Sequence, residues 1–190
     1  ETIKELQKKD PDNCFRFASS VEHAMREASP ENGEVETNTE IALEYLELLS
    51  NVYAHNVFNL IYQIMETKFG TPDKYVEKWY KLLIKCLGVE KGFYEEQAKK
   101  GNMANVYWYP ALYHSRIMEL IHEKLGQAKF MQVAKIFFSF PKELELHETP
   151  NLVSIIQELA KTDKDAKAII KTLIDKNPSK YWSLKDKPAK

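Results

Sequence analysis

The sequence predicts an all-α fold, a single-domain antiparallel helical bundle of about seven to nine helices. Three observations predict it. Apolar residues recur three and four apart over long stretches, which is the rhythm of one buried helix face. The breaks between those stretches are short and carry helix-ending or helix-starting chemistry. The six glycines among 190 residues are too few and too scattered for a fold built on tight strand turns.

Taken in order, Thr2 to Lys9 reads as a short helix ended by Asp10-Pro11-Asp12, and Cys14 to Ala28 as a second. Ser29-Pro30-Glu31-Asn32-Gly33 breaks the pattern. From Asn38 or Thr39 to about Lys68 the apolar positions Ile41, Tyr45, Leu48, Leu49 and Val52 open one long stripe, with Thr39 as the N-cap and a kink expected between Asn51 and Asn56. Thr71-Pro72-Asp73 is a cap followed by proline at the first helical position, and starts a helix that Gly88 is expected to close. Phe93 to Lys100 forms a shorter helix ending at Gly101-Asn102. A helix beginning near Asn105 must bend at Tyr109-Pro110 and then continue to Gly126.

Lys129 to Phe140 is short and very apolar. Thr149-Pro150-Asn151 repeats the cap-then-proline device, and Asp163 to Lys176 is the last helix, stopped by Asn177-Pro178. This closing pair is of the kind stacked in armadillo and HEAT arrays, although no consensus repeats along the chain. Residues 1–184 are expected to form the domain, with Tyr181, Trp182 and Leu184 pinning its end and 185–190 fraying.

Charge and cysteine usage narrow the function classes. Net charge is −1, yet residues 1–50 carry 12 acids against 5 bases and residues 151–190 carry 5 acids against 9 bases. That gradient is far from the basic excess of a nucleic-acid binder, so nucleic acid is not the expected partner. No stretch approaches the roughly 18 consecutive apolar residues of a membrane span. The start lacks a signal-peptide pattern, and an intracellular, cytoplasmic-type compartment is expected. Cys14 and Cys86 read as unpaired thiols near the core, the alternative being one disulfide between them.

Candidate sites are few. Tyr107-Trp108-Tyr109, with Tyr113 and His114 beyond Pro110, cannot all face one core, because helical neighbours point about 100° apart. They are expected to offer an aromatic contact surface, since Trp and Tyr dominate interface hot spots. Glu40, Glu44 and Glu47 form an acidic face that is the second expected surface. The leading expectation is therefore a non-enzymatic interaction module for a partner protein or peptide, with no cofactor.

Two alternatives belong to other classes. Glu119 and His122 have the Glu-x-x-His spacing of ferritin-like carboxylate metal sites. Arg116 followed by His122 resembles the Arg and His pair of certain all-helical nucleases and nucleotide-binding domains, with Ile117 where a polar residue is usual. That resemblance implies a metal- or RNA/nucleotide-dependent enzyme using Arg116, Glu119 and His122. The other alternative is a carrier for an apolar small molecule between the long helix and Phe130 to Phe140.

Overall fold

In a computed structural model of the chain, the structure describes Glu5, Lys9, Asp10, Arg16, Ser20 and residues 34–50, 73–103, 112–144, 148–181 and 184. The fold is all-α: among the described residues there are helices, turns and no strand. Glu5 and Lys9 are helical and Asp10 is not, in keeping with the first expected helix. Arg16 and Ser20 lie in helix as well. Six helices have defined bounds, α1 (Glu34–Leu49), α2 (Asp73–Lys99), α3 (Leu112–Leu125), α4 (Gln127–Phe138), α5 (Pro150–Leu159) and α6 (Lys164–Lys176). The chain divides into two compact units, Glu1–Glu90 and Lys91–Lys190. The division falls inside α2, where no proline or polar linker marks it.

In the first unit, α1 begins earlier than its apolar stripe suggests. Thr39 is not an N-cap but a fully buried residue within the helix. The helix runs from Glu34, so its first turn lies ahead of Thr39. The helix ends at Leu49, and Ser50 follows in a turn, its hydroxyl donating to Glu47 O at 2.7 Å. The expected kink at Asn51 to Asn56 lies outside the described residues. Ala42, Leu43 and Leu46 on α1 and Val76, Trp79, Leu82, Leu83, Cys86 and Leu87 on α2 supply the buried apolar surface of this unit. The Tyr75 hydroxyl donates to Glu40 at 2.6 Å and Lys85 Nζ to Glu47 O at 3.4 Å. These contacts follow the same order along both helices. The two therefore lie side by side in one direction, unlike the antiparallel neighbours expected of a simple bundle.

Gly88 does not close α2, and Phe93 to Lys100 is not a separate helix. A glycine ends a helix where it takes positive φ, and only Gly101 (φ 71°) and Gly126 (φ 79°) do so among the described residues. The buried face runs through the glycines unbroken, from Leu83 and Leu87 to Glu90 and Tyr94, while Gly88 and Gly92 lie on the exposed side. Continuous burial outweighs the roughly 1 kcal/mol that each interior glycine costs. The true stop is a Schellman motif: Asn102 N–H donates to Gln97 O at 3.0 Å and Gly101 N–H to Ala98 O at 3.1 Å. A Cβ at Gly88 or Gly92 meets nothing within 4 Å. Gly88→Ala and Gly92→Ala are each expected to stabilise the protein by about 0.5–1 kcal/mol. Unchanged or lower urea midpoints would show that the helix is interrupted there.

In the second unit, α3 packs on α4 and α5, and α6 packs on α4 and α5. Its core holds Ile117, Met118, Ile121, Phe130, Val133, Phe137, Leu152, Ile156, Ile169 and Leu173. The starts of α5 and α6 are those the sequence marks. Thr149 Oγ1 accepts from Leu152 N at 3.1 Å with Pro150 in the first turn, and Asp163 Oδ1 accepts from Asp165 N at 2.7 Å and Ala166 N at 3.1 Å. Those two N–H bonds hold the Asp163 carboxyl below its ordinary value. α4 begins two residues before the expected Lys129 and stops at Phe138. Tyr181 and Leu184 are buried, as expected for the pinned end, whereas Trp182 and the expected tail at 185–190 lie outside the described residues.

Candidate functional site

The acidic face on α1 is a face of a cleft. Glu40, Glu44 and Glu47 are exposed, and with Lys78, Lys81 and Lys85 on α2 they line a cleft of about 430 Å³ over Leu43 and Leu82. Helix geometry explains both rows. Positions i, i+4 and i+7 on α1, and i, i+3 and i+7 on α2, each return to one side of a helix and extend it by about 10 Å. Because α1 and α2 run in the same direction here, the rows lie in register. Tyr75 closes one end of the acid row by its bond to Glu40. That bond, reinforced by burial, holds the Tyr75 phenol above its ordinary value. Lys78 Nζ lies 5.4 Å from the centre of the Tyr75 ring, a cation–π contact. Among the described residues, no ion pair joins the glutamate row to the lysine row.

The aromatic surface fares differently. Tyr107, Trp108 and Tyr109 lie outside the described residues, and Tyr113 is in the first turn of α3. His114, grouped with them as a contact residue, is fully buried and stacks on Phe137 with ring centres 5.7 Å apart. Its place one turn before Met118 puts it on the inward side of α3, so it serves the core of the second unit and not a surface.

Arg116, Glu119 and His122 do not converge. Arg116 Nη1 lies 3.3 Å from Glu119 Oε2, with Arg116 half exposed. Glu119 Oε1 accepts a hydrogen bond from Thr149 Oγ1, so its carboxylate ties α3 to the cap of α5. His122 meets Phe130 edge-on, with ring centres 5.1 Å apart. No set of three or more His, Cys, Asp or Glu side chains able to hold a metal occurs among the described residues. Thr149→Ala removes a helix cap and strips Glu119 of a partner, and should cost about 1–2 kcal/mol for the cap alone. A double-mutant cycle with Glu119→Gln should show coupling above about 0.5 kcal/mol, and strict additivity would show that the two side chains do not interact.

Phe130, Phe137, Phe138 and Phe140, expected to border an apolar guest, are spent on the core. Each is at most 2% exposed. Phe137 packs 5.1 Å from Phe138 and 5.7 Å from Phe140, and Phe140 packs 5.4 Å from Tyr94.

A second cleft, of about 310 Å³, is lined in part by Lys142, Leu144, Leu173, Lys176 and Lys180. Two of its lysines, Lys176 and Lys180, serve the fold. Lys176 Nζ donates to Phe140 O at 2.7 Å and Phe138 O at 3.3 Å, covering the carbonyl end of α4, and Lys180 Nζ bonds Glu148 at 2.9 Å. Burial holds the Lys176 amine below its ordinary value, against the pull of Glu143 and Glu148.

Cys86 is a free, fully buried thiol, and Cys14 lies outside the described residues. Burial, aided by Glu90, pushes the Cys86 thiol from 9.0 up to about 12, with Lys85 opposing. The thiolate is the nucleophile, so this group is inert near neutrality. Peptide mapping after iodoacetamide treatment at pH 8 should find Cys86 unlabelled in the folded protein and labelled in urea; native labelling would place it at the surface. The folded state also holds this proton more tightly than the unfolded chain. Its contribution to stability is complete below pH 9 and is lost as pH rises toward 12.

Among the described residues, no helix is long and apolar enough to cross a membrane. No protein-family model, curated protein or solved structure matches the chain.

Proposed function

We propose that the chain is a helical interaction module whose first unit holds a protein partner in the cleft between α1 and α2, its helices closing as a bundle that fixes the two walls. One observation carries the reading. Three carboxylates and three ammonium groups stand in register on facing walls, over an apolar floor of Leu43 and Leu82, without ion pairs between the rows. Opposed charged walls dictate orientation and reject partners of the wrong sign, and an apolar floor takes an anchoring side chain. The fitting partner presents carboxylates and ammonium groups on separate rows at one-turn spacing.

Capture from the native source with the immobilised full chain tests this. Proteins retained by the wild type should fall by about tenfold or more with Glu44→Lys/Glu47→Lys and with Lys78→Glu/Lys81→Glu, because like charges across an interface repel. Circular dichroism must first show both variants folded. Equal recovery by wild type and both variants contradicts the proposal.

A further inference from the structure

Resting on that reading, we infer that the cleft's occupant is a second copy of this chain, docked through the same face as a two-fold dimer. The partner that fits the cleft carries an acid row and a base row, and this face carries both. Glu40, Glu44 and Glu47 span eight residues of α1, and Lys78, Lys81 and Lys85 span eight of α2. In an isologous contact one patch serves both subunits, so if residue i touches j, j touches i. A patch of one sign repels its own copy. A patch with equal numbers of both signs on separate rows attracts it.

The geometry fixes the symmetry axis. A two-fold axis running along the cleft, midway between the rows, lays each glutamate row over the lysine row of the other copy. The shared direction of α1 and α2 then keeps the levels matched, Glu40 with Lys78, Glu44 with Lys81 and Glu47 with Lys85. An axis across the cleft stacks like on like.

Sedimentation velocity on the purified full chain tests the inference at low salt. The wild type should be dimeric and should dissociate as salt rises, since the contact is ionic. Lys78→Glu/Lys81→Glu and Glu44→Lys/Glu47→Lys should each be monomeric. Mixed one to one they should dimerise again, because a face of five acids and one base now meets one of five bases and one acid. The neutralising variants Lys81→Gln and Glu44→Gln, the safer pair for folding, should weaken the dimer by roughly tenfold each. A dimer untouched by any of these changes overturns the inference by placing the contact elsewhere. A wild type that stays monomeric also overturns it. If that monomer still captures another protein that the reversed variants lose, the cleft remains a docking site with a different occupant.

Discussion

Phe137→Ala is expected to destabilise the protein by about 3–5 kcal/mol, the range for emptying a buried phenylalanine site. Phe137 has no exposed surface and touches three other rings, those of His114, Phe138 and Phe140. Those rings lie on α3, at the end of α4 and just beyond it, so the cavity cannot close by moving one side chain. Domains are typically stable by only about 5–15 kcal/mol, and the variant should lose a large share of that. Urea unfolding followed by circular dichroism measures the loss. Phe93→Ala is the internal control: Phe93 is 44% exposed, and its removal should cost less than about 1 kcal/mol. If both variants unfold at the same urea concentration, Phe137 is not the centre of its unit.

Trp79→Ala carries the second large effect, again about 3–5 kcal/mol, and it falls on the first unit. Trp79 is 1% exposed, and its indole N–H is buried without a hydrogen-bond partner among the described residues. That detail separates two substitutions. Alanine empties the site. Phenylalanine keeps most of the ring and removes an N–H whose burial itself costs about 1–3 kcal/mol. Trp79→Phe should therefore lie within about 1.5 kcal/mol of the wild type, the usual margin for near-isosteric swaps. A phenylalanine variant as unstable as the alanine one would show that the N–H is bonded.

The helices and several of their ends were legible because the signals for them are local. Thr149-Pro150, Asp163 and Gly101-Asn102 each act on backbone groups within a few residues, and the structure uses each as the sequence suggests. Gly88 misled because a glycine's identity does not give its φ. The evidence against a stop lay further on, where Glu90 and Tyr94 resume the buried face of Leu83 and Leu87. Thr39 misled because a good capping residue and a buried interior threonine look alike without the residues that precede them.

The site was half legible for the same reason. The one-sided spacing of Glu40, Glu44 and Glu47 is a property of one helix. Lys78, Lys81 and Lys85 have an equally regular spacing, but which wall they face is decided by tertiary packing some 38 residues away in sequence, as in the bond from Lys85 to Glu47. Glu119 and His114 show the converse. Their neighbours in sequence suggested chemistry and contact, whereas Thr149 and Phe137, on other elements, make them structural.

Lysine acetylation footprinting tests occupancy of the cleft most directly, comparing the full chain at high dilution with the same chain in extract from its native source. An occupied cleft makes Lys78 and Lys81 react several-fold more slowly in the extract, while Lys164 and Lys167 on α6 react equally in both. Equal rates at all four lysines would contradict it.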